Sequence, residues 1–215
     1  MKNLTTMFQK GSIYAIASRC GNGKTQVCLN FAKYVAGDGE KVLYLSDLPS
    51  EKKIDILASQ TILKGKNNIV CKRTFHLHKL KLETLLNEDE YDYLILNPFD
   101  IYAYDIDMGE LKEIAIEKHI AIIVTKSLSR PPLFSRRKHP VLSDIKFADK
   151  RVQRKFIAYT DIILFLERKS HTSQFKVLVG KDVHGEIGYS IELIKWAYLL
   201  VNQEKQLLYA EAICY

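Results

Sequence analysis

Eight consecutive residues near the amino terminus have the types and spacing of a loop that binds phosphate groups. They are Ser18-Arg19-Cys20-Gly21-Asn22-Gly23-Lys24-Thr25. An apolar, β-branched stretch (12–17) precedes them, and a stretch with apolar residues at a helical period (26–35) follows. In such a strand–loop–helix unit, the loop amides and the helix N-terminus can donate to a polyphosphate. Lys24 would contact the β- and γ-phosphates and the Thr25 hydroxyl would ligate Mg²⁺. An ordinary strand–turn–helix corner is the alternative, and Ser18 stands where such loops usually have glycine.

The composition is that of a globular protein of one domain, or of one domain with an appendage. The chain has 215 residues, of which 47% are hydrophobic and 27% charged. It contains no apolar run long enough to span a bilayer, and its first residues do not resemble a signal peptide. The four cysteines are scattered, as expected for reduced thiols. These features predict a cytoplasmic protein without a membrane partner.

The positive charge is concentrated in one segment. The net charge is +7, but residues 126–155 contain ten Lys and Arg against two Asp. This excess indicates a polyanionic partner. Within it lie five candidates for nucleic-acid binding, in which cations would neutralise phosphates and Phe134 would stack on a base: Arg130, Phe134, Arg136, Arg137 and Lys138. A solvated loop and an acidic protein partner are the alternatives. The later run 150–155 is interpreted as one polar face of a helix.

Strand and helix patterns alternate along most of the chain. Further strands are predicted at 41–46, 69–71, 91–97, 120–125 and 161–166, and helices at 49–63, 76–86 and 108–119. A long irregular stretch covers 126–150, and 174–179 and 189–194 form a hairpin-like pair. The order predicts an α/β fold, with a mostly parallel central sheet flanked by helices and an antiparallel C-terminal extension. A phosphate ligand would bind at the carboxyl ends of the strands. The tail from residue 195 fits either strand or helix.

The order of these segments resembles the RecA-like P-loop ATPase domain of the DnaB-type hexameric replicative helicases. Four places carry the likeness: residues 11–25, strand two ending at Ser46, the stretch 140–168 with Pro140 and Ser143-Asp144, and residues 181–188. The resemblance implies a single RecA-like domain over 1–215, with about 195–215 as an appendage. The N-terminal helical domain of full-length helicases is not expected in this sequence.

The resemblance also implies ATP and Mg²⁺ as ligands and single-stranded DNA as partner. A ring of identical subunits, or a partner helicase or replication protein, is further implied. The family's catalytic glutamate aligns with Leu48, beside Asp47. Its magnesium-associated aspartate aligns with Asn97, so that Thr25 and Asn97 are the metal candidates, with Asp100 as another carboxylate nearby. Its γ-phosphate sensor aligns with Ser127, and its arginine finger with Val183, which leaves Lys181 as the one cation of that pair.

The nucleotide cradle is thus kept, whereas the hydrolytic residues are replaced. An arginine finger alone is worth about 10³–10⁵ in rate. We therefore expect an ATP-binding, DnaB-like helicase-type protein that acts on DNA in replication or mobile-element metabolism, with weakened or absent hydrolysis. Asp47, Asn97, Asp100 and Lys181 are the candidates for any remaining catalysis. The alternatives are an active DNA-dependent ATPase or helicase motor and a small-molecule P-loop kinase. The residues alone leave open whether ATP is hydrolysed.

Overall fold

The fold is built on a twisted sheet whose strands come from the whole length of the chain. A computed structural model describes residues 8–47, 68–103, 105–129, 139–168, 175–183, 190–193 and 212–213. The strands are β1 (Ile13–Ser18), β2 (Val42–Ser46), β3 (Ile69–Arg73), β4 (Tyr93–Asn97), β5 (Ala121–Ser127), β6 (Ile162–Arg168), β7 (Phe175–Asp182), β8 (Ser190–Leu193) and β9 (Ala212–Ile213). The helices are α1 (Lys24–Gly37), α2 (Lys79–Leu86), α3 (Met108–Glu117) and α4 (Lys150–Tyr159).

The sheet has the strand order β3-β2-β4-β5-β1-β6-β7-β8-β9. The first six strands in this order are parallel, and β7 to β9 extend the sheet with antiparallel pairs. All residues of β1, β2 and β4 are buried, which explains why these strands are continuous apolar runs rather than alternating patterns. The predicted α/β class, with its antiparallel extension, is confirmed.

Helices cover both faces of the sheet and bury two apolar layers. On one face α1 contributes Val27, Leu29 and Phe31, which pack on side chains such as Tyr14 and Tyr44. On the other face α2, α3 and α4 contribute side chains such as Leu82, Leu111 and Phe156. None of the helices within the described residues is long and apolar enough to cross a membrane.

Several predicted boundaries differ from the observed ones. The helix predicted at 76–86 begins at Lys79, because the extended His78 is its N-cap and accepts a hydrogen bond from Lys81 N at 3.3 Å. Strand β5 continues to Ser127, so the irregular stretch begins later than predicted. The helix predicted at 49–63 and most of the tail from residue 195 lie outside the described residues.

Lys181, at the end of β7, closes the carboxyl end of α4. Its Nζ donates to the carbonyl oxygens of Ile157, Ala158 and Thr160 at 2.6, 3.0 and 2.5 Å. The last carbonyls of a helix lack partners within the helix, so a cation is favoured there. Burial lowers the pKa of Lys181. This side chain therefore ties β7 to α4 across the intervening strand β6.

Replacing Lys181 by alanine should destabilise the fold, because three carbonyl oxygens lose a charged donor. We expect the free energy of unfolding in denaturant to fall by about 1–3 kcal/mol. Lys146→Ala, at an exposed lysine without a hydrogen-bond partner among the described residues, is the control and should change it little. Equal stabilities of the two variants would contradict the capping role.

Candidate nucleotide site

Residues 18–25, the phosphate loop, connect β1 to α1 at the carboxyl edge of the sheet. Strand β1 lies between β5 and β6, so the loop begins near the middle of the parallel strands. Gly21 and Gly23 have φ angles of 80° and 79°, a left-handed conformation that favours glycine. A Cβ atom at Gly21 would meet no atom within 4 Å, so its glycine is required by the backbone angle and not by crowding. The loop thus keeps open space beside its backbone.

The beginning of α1 is suited to an anion. Gly23 is the N-cap and offers no side-chain acceptor, and the first turn contains no acidic residue. The first amide groups of a helix have no partner within it and carry partial positive charge. A phosphate group can therefore accept hydrogen bonds from the start of α1 without displacing a side-chain cap.

Lys24 lies across the loop and contacts its first two residues. Its Nζ donates to Ser18 O at 3.1 Å and, at 3.4 Å each, to Ser18 Oγ and Arg19 O. Burial lowers the pKa of Lys24. Ser18 is fully buried, and its hydroxyl donates to Arg19 O at 3.0 Å. The serine that replaces the usual glycine is therefore accommodated by hydrogen bonds inside the loop, and Lys24 is held where phosphate oxygens would be stronger acceptors.

Asn97, at the end of β4, is hydrogen-bonded directly to Thr25. Its Nδ2 donates to Thr25 Oγ1 at 3.1 Å and to the Tyr44 hydroxyl at 2.5 Å, and its Oδ1 accepts from Thr125 Oγ1 at 2.8 Å. Only 3% of Asn97 is exposed. The structure thus brings the two predicted metal candidates together, inside a network that joins α1, β2, β4 and β5.

This network fits a polyphosphate better than it fits a tightly held metal ion. The Asn97 amide is neutral, and both of its N–H groups are used within the protein. Thr25 Oγ1 keeps a lone pair that could ligate Mg²⁺ bound to phosphate oxygens, but no carboxylate contacts it among the described residues. Nor do the described residues contain a cluster of three or more His, Cys, Asp or Glu side chains that could hold a metal ion.

Asp100 is neutralised by a lysine that the sequence reasoning missed. Its carboxylate forms an ion pair with Lys126 and accepts a hydrogen bond from Ser127 N at 3.2 Å. The Lys126 side chain is only 6% exposed, and its Nζ lies 4.0 Å from the centroid of the Phe147 ring. Lys126 is paired in register with Ala17, next to the phosphate loop. A lysine within an otherwise apolar strand was the signal that could have revealed it.

The remaining catalytic candidates fall at two opposite edges of the sheet. Asp47 follows Ser46, whose register partner is Asn97, and the Asp47 carbonyl accepts from Arg73 Nε at 2.9 Å. Ser127 is in register with Ser18, at the phosphate loop. Lys181 and Val183, which is 50% exposed, lie at the other edge, where Asp182 pairs with Ile162 at the start of β6. Lys181 and Val183 are therefore far from the chain's own phosphate loop.

Six residues singled out from the sequence lie outside the described residues. They are Leu48 and the five nucleic-acid candidates Arg130, Phe134, Arg136, Arg137 and Lys138.

Two solved structures share this arrangement of strands and helices. One is the structure of an isolated ATPase domain, which has a TM-score of 0.70 at 17% identity, over 88% of this chain and 84% of the other. The second is a DnaB-like replicative helicase, solved in a study of its interactions with primase. It has a TM-score of 0.68 at 16% identity, over 88% of this chain and 57% of the other. The chain has the fold of a DnaB-type RecA-like ATPase domain.

The sequence is also weakly related to curated proteins that are named as helicases. A probable plasmid replicative DNA helicase of Chlamydia trachomatis is 25% identical over 166 residues, 71% of this chain and 36% of the relative. Its counterpart in Chlamydia psittaci is 32% identical over 84 residues, 36% of this chain and 17% of the relative. The chain thus spans about a third or less of the length of the curated relatives it matches. No protein-family model matches the sequence.

Asn97→Asp should make nucleotide binding to this RecA-like domain more dependent on Mg²⁺. The hydroxyls of Thr25, Thr125 and Tyr44 can each donate to a carboxylate, and burial raises the pKa of Tyr44, so its hydroxyl stays protonated. The new charge would lie beside the Thr25 oxygen. We expect the ratio of nucleotide affinities with and without Mg²⁺ to rise about tenfold in a fluorescence titration. Asn87→Asp, on the surface, is the control; equal ratios in both variants would contradict this role of Asn97.

Asp100→Asn should destabilise the domain because it leaves the Lys126 ammonium buried without a counter-charge. Asp100 is itself 32% exposed, so we expect a loss of about 1–3 kcal/mol in unfolding free energy, less than for a fully buried pair. The double variant Asp100→Asn/Lys126→Met should be more stable than Asp100→Asn alone. Additive effects of the two substitutions in this double-mutant cycle would show that the charges are not coupled.

Proposed function

We propose that this protein is an ATP-binding, DnaB-like helicase-type protein that acts on DNA in replication or mobile-element metabolism, with weakened or absent ATP hydrolysis. The observation that carries the proposal is the contrast within one site. Lys24, Thr25 and the uncapped start of α1 form a complete phosphate cradle, whereas the neutral amide of Asn97 is hydrogen-bonded to Thr25 where a carboxylate is expected.

Binding of ATP follows from what the chain's own residues offer. The amides at the start of α1 and the Lys24 ammonium would hold the β- and γ-phosphates. The Thr25 hydroxyl, oriented by Asn97, would contribute one ligand to Mg²⁺. The ion, when bound, would neutralise charge on the phosphate oxygens. The surrounding protein adds no described carboxylate to this set, which supports a bound but slowly hydrolysed nucleotide.

The weakness of hydrolysis is inferred from the groups that would have to activate water. The Asp100 carboxylate is paired with Lys126 and is not free to act as a base. The position aligned with the family's glutamate is the apolar Leu48. The position aligned with its arginine finger is Val183, and the neighbouring cation Lys181 donates to the end of α4.

Action on DNA is supported by the charge and by the relatives. Residues 126–155 carry ten Lys and Arg against two Asp. The relatives with 25% and 32% identity are named as probable plasmid replicative DNA helicases. We propose single-stranded DNA as the partner, with a second copy of the chain or a replication protein as the assembly partner. The placement of Lys181 and Val183 away from the chain's own phosphate loop supports contact with a neighbouring subunit. A cytoplasmic location is part of this proposal.

An active DNA-dependent motor is the second candidate, and Asp47 is the observation that favours it. This residue lies one position beyond Ser46, whose register partner is Asn97, at the same edge as the phosphate loop. Its carbonyl, not its carboxylate, accepts from Arg73. The Asp47 carboxylate is therefore the one described acid next to the site that could take over as general base.

Nucleotide binding and steady-state ATP hydrolysis, measured with and without single-stranded DNA, test the proposal. We expect Mg²⁺-dependent ATP binding that Lys24→Ala weakens at least about tenfold, because the ammonium contacts the phosphates. Turnover should be at least about 10³-fold below the roughly 10 s⁻¹ typical of enzymes.

Two outcomes would contradict it. DNA-stimulated turnover well above that of Lys24→Ala would establish the motor instead, and Asp47→Asn would then identify the base. Absence of ATP binding in the folded protein would refute the nucleotide site.

A further inference from the structure

Helix α4 presents a positively charged surface to solvent. Four of its ten residues are basic (Lys150, Arg151, Arg154 and Lys155), none is acidic, and all four are exposed. The side chain of Arg151 is 86% exposed. Lys146, just before the helix, is exposed as well. The opposite side of α4 is fixed to the core by Phe156, which is fully buried. We call these five cations the α4 basic face.

Few of these charges are balanced locally. Arg151 is paired with Asp149, and Lys155 with Asp107. Lys146, Lys150 and Arg154 have no ion-pair partner among the described residues. Five positive and two negative charges leave the face with a net charge of about +3, which favours an anionic partner.

The arrangement does not stabilise the helix. Lys150 and Arg154 are four residues apart, as are Arg151 and Lys155, and like charges at this spacing cost about 0.2–0.5 kcal/mol per pair. Lys150 and Arg151 also lie in the first turn, where the helix dipole disfavours cations. A solvated helix face gains nothing from such a pattern, whereas a surface that binds phosphates does.

The face lies at the same edge of the sheet as the phosphate loop. Strand β6 follows α4 and is parallel to β1, so α4 runs in the opposite direction and begins at the carboxyl edge. Phe147, just before α4, packs on Phe156 with ring centroids 5.2 Å apart and is capped by Lys126 from the end of β5. The segment that carries the candidate DNA-binding residues 130–138 leads into this helix.

We propose that the α4 basic face binds the phosphate backbone of single-stranded DNA, as a contact separate from residues 130–138. This rests on the proposed action on DNA and adds a rigid helical surface to it. Recognition is by charge alone, because lysine and arginine on an exposed helix neutralise phosphates without reading bases.

The test is fluorescence anisotropy with a labelled oligothymidine over a series of salt concentrations. The variant Lys150→Gln/Arg154→Gln removes two cations that lack partners among the described residues, and Lys33→Gln/Lys118→Gln removes the same charge elsewhere. Each phosphate contact on a single strand contributes about 0.7 to the slope of log K against log salt. Losing two contacts should reduce the slope by about 1.4 and weaken binding about tenfold at about 0.1 M salt, while the control pair leaves the slope unchanged.

The outcomes separate this inference from the proposed function. ATP affinity and thermal stability should be unchanged in Lys150→Gln/Arg154→Gln, since the variant removes a like-charge pair. A slope equal to that of the control variant would overturn the inference while leaving DNA binding in place, and would point to an acidic protein partner. If the wild-type protein itself binds no DNA, both this inference and the proposed action on DNA are refuted.

Discussion

The hydrogen bonds of the Asn97 amide hold together the elements that make the nucleotide site. Through Thr25, Tyr44 and Thr125 they join the start of α1 to the ends of β2, β4 and β5. A buried amide must have partners, since each unmade hydrogen bond costs about 1–3 kcal/mol. The same contacts that orient Thr25 for a ligand therefore also stabilise the apo domain. An aspartate would bring a charge to this point, and without a metal that charge would have to be satisfied by three hydroxyl donors. The neutral amide removes that requirement and weakens the site for Mg²⁺.

The Lys126–Asp100 ion pair imposes a second constraint on the chemistry. Lys126 is buried at the end of β5, so its ammonium needs a counter-charge, and Asp100 supplies it. A carboxylate held in this way is neither a free base nor an unpaired metal ligand. Lys126 also lies near enough to Lys24 to act on it electrostatically. The site thus holds two cations close together. This arrangement favours the binding of a polyanion over the activation of water.

Local patterns in the sequence were sufficient for the sheet and the phosphate loop, because glycine spacing and apolar periodicity are properties of adjacent residues. The start of α2 was missed because His78 acts as a cap only in its extended conformation. Lys126 and Lys181 were beyond such reasoning for another reason. Their partners, Asp100 and the end of α4, lie more than 20 positions away along the chain and meet them only in the folded state. The resemblance supplied the alignment of Asn97, but only the folded structure shows that its amide contacts Thr25.

The same ion pair links the phosphate loop to the basic segment. That segment leaves β5 at Ser127, whose amide donates to Asp100, and returns at Phe147, whose ring lies against Lys126. Between these points, Ser129 N donates to Asp144 O at 3.3 Å and closes the loop at its base. Both ends of the segment are therefore attached to one charged pair beside the phosphate loop. A phosphate bound at Lys24 changes the electric field at that pair, and a polyanion on the basic segment acts on the same pair from the other side. Because such coupling is reciprocal, we expect any effect of nucleotide on DNA affinity to be matched by an equal effect of DNA on nucleotide affinity, even if no ATP is hydrolysed.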